Sequence, residues 1–246
     1  MKLISANWKM NLTPSQTKEY LQKFLPLIYG LEGREVLICP PFPSLCVASE
    51  MLKDSSIKLG AQNCHHDKKG AYTGEVSLDM LKELGISYVI VGHSERRWIF
   101  GESDEFVNKK ITACLKASVR PILCVGERLE EREAGLTFKV VETQIRLALS
   151  GLEEFTDSLD IAYEPVWAIG TGNPATPEDA QVVHAYIKDL LCHINPKHGG
   201  KTRVLYGGSV NPRNSGDYMR MKDVDGLLVG GASLEPESFA QIIKSF

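Results

Sequence analysis

Short runs of apolar and β-branched residues recur along the chain. Runs of this length and composition are typical of short buried strands. Eight strands are therefore predicted, at residues 3–6, 36–39, 57–61, 88–91, 121–125, 160–163, 203–206 and 226–229.

The segments between these runs carry helix signals. Thr176 is placed as an N-cap, with Pro177 at the first helical position and Asp179 in the first turn. Apolar residues then recur at helical spacing, at positions 180, 183, 187, 190, 191 and 194. Thr13 repeats the start signal, and Gln16 is placed to complete a capping box.

Eight strand–helix units of about 31 residues follow one another without a Gly/Ser/Pro-rich linker or a run of charge. This arrangement predicts one α/β domain over residues 1–246 with a parallel sheet. An open doubly wound sheet would place ligand groups only at its switch point, whereas a closed barrel points all its strand ends at one mouth. Polar, charged or glycine residues follow nearly every strand, which favours a (βα)8 barrel: Asn7, Lys9, Gln62, Asn63, His93, Glu127, Glu164, Gly207, Gly208, Ser209, Gly230 and Gly231.

Composition and charge narrow the possible partners. Hydrophobic residues make up 43% and charged residues 24%, which is typical of a globular protein. The net charge of −3 provides no broad basic field, so no nucleic-acid partner is expected. No apolar run approaches the ~18 residues needed to span a membrane, and the first residues do not resemble a secretory signal. The six cysteines contain no C-x-x-C pair, and we expect reduced thiols in a cytoplasmic protein.

Two glycine-rich turns follow the seventh and eighth predicted strands. They are Gly207-Gly208-Ser209 and Gly230-Gly231. Barrels commonly bind phosphate here through backbone N–H groups, which glycine allows to approach the anion closely. Either turn alone is more simply a tight turn, but the two together at adjacent strand ends favour a phosphate site. No G-x-G-x-x-G or P-loop pattern is present, which argues against a dinucleotide or nucleoside triphosphate.

Three strand ends carry candidate catalytic side chains. Glu164 follows the sixth strand and suits a base that removes a proton beside a carbonyl, with its pKa raised by exclusion of water. His93 follows the fourth strand and precedes a predicted helix start, whose positive end favours a neutral imidazole. Lys9 supplies a charge for a phosphate or an oxyanion. Taken singly, each has an ordinary alternative: a solvated loop glutamate, a structural histidine or a surface lysine.

Other polar clusters are predicted to be structural. The run 127–133 is expected to form a solvated turn and helix face, although Glu127 lies close to a strand end. No metal site is predicted, because the remaining histidines and nearby cysteine lack an i, i+4 ligand pair or a fourth well-spaced partner. These residues are His65, His66, His184, Cys192, His193 and His198.

Four segments together resemble the triosephosphate isomerase family, in that family's order and along essentially the whole chain. They are ANWKMN at 6–11, VGHSERR at 91–97, AYEPVWAIGTG at 162–172 and YGGS at 206–209. The resemblance implies an aldose–ketose isomerase that interconverts dihydroxyacetone phosphate and D-glyceraldehyde 3-phosphate through an enediol-type intermediate. It further implies a role in glycolysis and gluconeogenesis and no cofactor.

The resemblance also implies roles for individual residues. Glu164 would be the base and His93 the electrophile. Glu95 and Cys124 would support the site from behind. Substrate or phosphate contacts are implied for Asn7, Lys9, Gly170, Ser209, Gly230 and Gly231.

Two loops have implied functions as well. Residues 165–175 resemble the family's mobile lid, and Pro174 departs from the flexible hinge expected at its end. Residues 63–76 resemble the family's dimer loop, with Thr73 reaching the partner's site. A homodimer is therefore expected.

Two rival functions remain to be weighed. An aldolase-type barrel would need a Schiff-base lysine on the sixth strand, which ends instead at Glu164. A barrel kept only for binding would be expected to lose Glu164, His93 and Lys9, and all three are present.

Overall fold

The computed structural model describes residues 1–169 and 174–246. Eight strands alternate with helices, and each predicted strand is present. They are β1 (Lys2–Asn7), β2 (Arg34–Cys39), β3 (Lys58–Ala61), β4 (Tyr88–Val91), β5 (Arg120–Val125), β6 (Asp160–Tyr163), β7 (Arg203–Tyr206) and β8 (Gly226–Val229). The strands pair in chain order, all parallel, and β8 pairs with β1 to close a barrel. The predicted (βα)8 architecture is confirmed.

Ten α-helices surround the barrel in the described part of the chain. They are α1 (Pro14–Leu27), α2 (Leu45–Leu52), α3 (Leu78–Glu83), α4 (Ser94–Trp98), α5 (Asp104–Lys116), α6 (Leu129–Glu133), α7 (Thr137–Ala148), α8 (Pro177–Ile194), α9 (Ser215–Arg220) and α10 (Pro236–Ile243). Both predicted N-caps are confirmed. Thr13 and Gln16 form a capping box at α1, and Thr176 accepts from the N–H of Asp179 at α8.

The core has two layers. Apolar side chains between strands and helices form the larger layer, and a smaller cluster fills the barrel itself. The inner cluster consists of Leu3, Leu37, Cys39, Tyr88, Ile90, Ile122, Cys124, Ala162, Leu205 and Leu228. Because the strands are buried on both faces, the side chains of the strands can reach water only at the two ends of the barrel.

The base of the barrel is closed by charge pairs. The fully buried Asp160 accepts two hydrogen bonds from Arg120 and two from Arg203, at 2.8 to 2.9 Å. Arg203 also pairs with Glu35 at 2.7 Å. These residues lie at the starts of four strands, so the network fixes the end of the barrel opposite the mouth.

One run was only partly predicted. Helix α6 is largely exposed, as expected, but Glu127 is fully buried, so the expectation of a solvated Glu127 is wrong. Its carboxylate turns inward because Tyr163 and Trp167 donate hydrogen bonds to it. Among the helices that the structure describes, none has the length and apolar character needed to cross a membrane.

His184 on α8 is a fully buried titratable group outside the barrel mouth. Its ring lies 6.0 Å from that of Tyr163 and 6.4 Å from that of Tyr206, and Nδ1 lies 3.2 Å from the carbonyl oxygen of Asp223. Burial lowers the pKa of His184 to about 4, against 6.5 for an exposed imidazole. The folded protein therefore holds this ring neutral.

We predict that His184 makes the protein acid-sensitive. Below pH 6.5 the unfolded chain binds a proton that the folded chain resists, so the free energy of unfolding falls between pH 6.5 and about 4. The loss should total about 3 kcal/mol. Urea unfolding of wild type and His184→Gln across this range, at one protein concentration, measures it. Equal pH slopes for the two proteins would contradict the assignment.

Candidate active site

The carboxyl ends of the strands enclose a pocket of about 240 Å³. Apolar walls come from Ile169, Val210, Leu228 and Ala232, which sequence reasoning did not identify. The pocket brings together most of the predicted site residues: Asn7, Lys9, His93, Glu164, Ser209, Gly230 and Gly231. Gly170, also predicted, lies outside the described residues.

Glu164 is held in a buried pair with His93. Its carboxylate is 2% exposed, accepts from Nε2 of His93 at 2.8 Å and accepts from the N–H of Ser94 at 2.9 Å. Burial raises the pKa of Glu164, but His93, Ser94 and the charge of Lys9 outweigh burial, and the net direction is downward. The raised pKa expected from the sequence is therefore wrong for this arrangement, because that reasoning did not include the two donors.

The predicted helix start after His93 is confirmed, and His93 is itself the N-cap of α4. Its Nδ1 accepts from the N–H of Glu95 at 3.2 Å, which leaves the ring proton on Nε2, facing Glu164. Burial lowers the pKa of His93, but the neighbouring carboxylates raise it more, and the net direction is upward. Protonating Nδ1 would break the bond from Glu95, so the helix start favours the neutral ring while Glu164 favours the charged one.

Lys9 reaches the pocket from a strained backbone. Its φ of 52° lies in the left-handed region, which is costly for a lysine. Asn7 Oδ1 accepts from the N–H of Lys9 at 3.1 Å, and Gln62 donates to its carbonyl oxygen at 2.9 Å. The Nζ atom pairs with Glu95 at 2.8 Å. Asn7 and Gln62 thus stabilise the turn that carries Lys9, and the ion pair with Glu95 holds its ammonium group in place.

The two glycine-rich turns form part of the wall of the pocket. Ser209 Oγ donates to the carbonyl oxygen of Ala168 at 2.6 Å, which joins this wall to the loop after β6. Gly230 precedes a helical turn, Gly231–Ser233, in which Gly231 is the first residue. A methyl group on Gly230 would lie 3.6 Å from Cε of Lys9, so the lysine passes directly over this turn.

Two buried residues, Cys124 and Gly126, lie beside Glu164. Burial raises the pKa of the Cys124 thiol well above its usual range, and the Glu164 carboxylate raises it further. Cys124 therefore stays a neutral donor beside the carboxylate. Gly126 was missed by sequence reasoning: a Cβ there would lie 1.7 Å from the carbonyl oxygen of Glu164. Only glycine allows β5 and β6 to approach this closely.

The inward-turned Glu127 organises the start of the loop after β6. It accepts from Nε1 of Trp167 at 2.9 Å, and its pKa is raised by burial. The guanidinium of Arg132 lies 4.2 Å from the Trp167 ring centre and bonds Asp179 of α8 at 3.2 Å. The position of Glu127 directly after a strand was the signal that could have revealed this role.

One cluster with metal-ligand chemistry lies away from the pocket. The structure adds Asp67 to His65 and His66, with donor atoms within 4.8 Å of one another, a partner that the sequence analysis overlooked. Nδ1 of His65 already accepts from the N–H of Asp67, and Tyr72 donates to the Asp67 carboxylate. Three lysines line the same cavity: Lys68, Lys82 and Lys116. His65 and Asp67 are therefore already engaged and the surroundings are positively charged, so the absence of a metal stays our prediction.

Known proteins are similar to this chain in amino-acid sequence over its whole length. The family model described as triosephosphate isomerase matches residues 2–246. A triosephosphate isomerase of Aquifex aeolicus is 64% identical over 245 residues, covering 100% of this chain and 99% of that protein. One from Dictyoglomus thermophilum is 51% identical over 246 residues, covering 99% of each. The chain belongs to the triosephosphate isomerase family. It is an isomerase that interconverts dihydroxyacetone phosphate and D-glyceraldehyde 3-phosphate, a step of glycolysis.

We predict that Gly126→Ala displaces the Glu164 carboxylate and lowers the isomerase activity. The added methyl group must push the backbone of Glu164, and a shift of about 1 Å can lower the rate ~10²-fold. Steady-state kinetics on protein shown to be folded by circular dichroism measures the loss. Gly200→Ala is the control, because its methyl group would meet only Cys192 Sγ at an ordinary 3.6 Å. Equal kcat for both variants would contradict the prediction.

Proposed function

We propose that Glu164 is the base that moves the proton between the two carbons of the triose phosphate. The observation that carries this proposal is the buried contact of 2.8 Å between Glu164 and His93, at the floor of a pocket with glycine turns on one wall. Triosephosphate isomerases are themselves the standard example of a glutamate base paired with a neutral histidine under a closing loop.

Substrate entry changes the surroundings of both groups. A triose placed between Glu164 and His93 separates them, so the carboxylate loses its donor from His93 while it stays buried. Its pKa then rises, which is the direction that a base beside a carbonyl needs. Without the facing carboxylate, the bond from Glu95 keeps His93 neutral, and Nε2 donates to the carbonyl oxygen.

The remaining pocket groups bind and polarise the substrate. Lys9 and Asn7 stabilise negative charge on the oxygen as the enediol-type intermediate forms. Ser209, Gly230 and Gly231 bind the phosphate, together with Gly170 of the lid. Closure of residues 165–175 excludes water, which would otherwise promote phosphate loss from the intermediate. Glu95 positions Lys9, and Cys124 supports Glu164. The proposed reaction needs no cofactor.

We also propose a homodimer in which the loop at 63–76 of each chain completes the partner's site. Thr73 is exposed at the tip of this loop. A second cavity of about 300 Å³ adjoins the active site and is lined by Lys9, Glu95 and Phe100 among others. Met10 at the edge of this cavity is 95% exposed, which is unfavourable for an apolar side chain in water. A partner's loop entering this cavity would cover it.

The proposed setting is the cytoplasm, with no nucleic-acid or membrane partner. The net charge of −3, which provides no broad basic field for a nucleic acid, supports this part of the proposal. The substrate is a small anion, and its phosphate is bound locally rather than through a broad field.

Deuterium exchange tests the base directly. In heavy water with dihydroxyacetone phosphate, wild type should introduce deuterium at carbon, which NMR detects. Glu164→Asp withdraws the carboxylate by about 1 Å and should lower kcat ~10²-fold, with a smaller change in binding. Glu133→Asp, exposed on α6, is the matched control. A kcat for Glu164→Asp within a few-fold of wild type would remove Glu164 as the base.

Thr73→Arg tests the dimer. An unpaired charge in the proposed interface costs several kcal/mol, so the variant should sediment as a monomer and lose most of its activity. Thr143→Arg adds the same charge on the exposed face of α7 and should leave the wild-type sedimentation unchanged. An intact, active Thr73→Arg dimer would refute the proposed role of this loop.

A further inference from the structure

Two cysteines without a role in the isomerase reaction lie against each other in the core. Cys64 follows β3, and Cys114 lies on α5, fifty residues later. Their Sγ atoms are 3.8 Å apart, and both side chains are fully buried. A disulfide needs an S–S separation of about 2.05 Å, so the two sulfur atoms would have to approach by about 1.8 Å.

The backbone around the pair is already aligned. Asn63, next to Cys64, accepts from Nζ of Lys110 at 2.6 Å, and Lys110 lies one helical turn before Cys114. Lys110 also donates to Glu102 at 2.5 Å. Two successive residues of the loop therefore face two positions on the same side of α5. This double contact holds the thiols in register.

The other cysteines have different surroundings. Cys39 and Cys124 belong to the barrel interior, and Cys124 lies beside the catalytic carboxylate. Cys46 and Cys192 are exposed. Cys64 and Cys114 are thus the pair that joins a loop to an outer helix.

We propose that Cys64 and Cys114 form a reversible intramolecular disulfide, a modification site that ties the loop at 63–76 to α5. The oxidant is a small peroxide. Cys64 attacks one peroxide oxygen as the thiolate, forms a sulfenic acid, and the released hydroxide leaves as water with the thiol proton. The Cys114 sulfur then attacks the sulfenic sulfur, the S–O bond breaks, and a second water leaves. Two S–H bonds are lost, one S–S bond forms, and both electrons pass to the peroxide.

Burial determines how this pair reacts. The hydrogen bond with Cys64 and burial together raise the pKa of the Cys114 thiol well above its usual range. Few thiolates form in such surroundings, so oxidation is slow and becomes faster as pH rises. The bond closes a loop of about 50 residues, which restricts the unfolded chain and raises the melting temperature.

The experiment uses the full chain with Cys46→Ser and Cys192→Ser, which removes exposed thiols that would form intermolecular disulfides. Hydrogen peroxide at pH 8.5 should lower the number of thiols titrated under denaturing conditions from four to two. Mass spectrometry should find a peptide linked through Cys64 and Cys114, about 2 Da lighter than the two free peptides. The melting temperature should rise by about 5–10 °C, and dithiothreitol should reverse the rise.

Adding Cys114→Ala to the same background gives the matched control, in which both the linked peptide and the temperature shift should be absent. Refolding the reduced chain in a glutathione redox buffer supplies a second route that does not require peroxide to enter the core. Four free thiols under both conditions would overturn the proposal. A link between Cys39 and Cys124, or a Cys64 oxidised without linkage, would overturn it as well.

Discussion

Closure of the sheet through the pairing of β8 with β1 is the constraint on which the other features depend. A closed parallel barrel leaves no free edge and buries every strand on both faces, so polar side chains can gather only at its ends. At the base, Asp160 and two arginines satisfy one another. At the mouth, the carboxyl ends of strands far apart in the chain meet, and their side chains line the pocket.

At the mouth of the barrel, hydrogen bonds from His93 and Ser94 stabilise the charge of the buried Glu164 carboxylate. Burial alone would raise the pKa of Glu164, but His93 and the N–H of Ser94 keep it low. The carboxylates of Glu164 and Glu95 in turn raise the pKa of His93. Glu164 and His93 therefore stabilise each other, and we propose that the substrate replaces these contacts with its own.

Around the mouth, interactions between elements position the loops. Glu127 binds Trp167 at the start of the loop after β6, and Lys110 of α5 binds Asn63 at the start of the proposed dimer loop. Both are buried charged side chains whose partners lie about forty or more residues away. Such pairs are costly to desolvate and are retained here where a loop must leave the barrel in a defined direction. The Cys64–Cys114 contact lies beside one of them.

The sequence by itself determined the strands, the helix starts, the order of the barrel and the residue types at its mouth. These properties follow from local periodicity, capping and turn chemistry, which neighbouring residues decide. Only the tertiary structure decided the direction of the pKa of Glu164, the burial of Glu127, the need for Gly126 and the contact of Cys64 with Cys114. Each depends on distances between residues far apart in the chain, and desolvation and charge interactions vary steeply with such distances, so no local pattern encodes them.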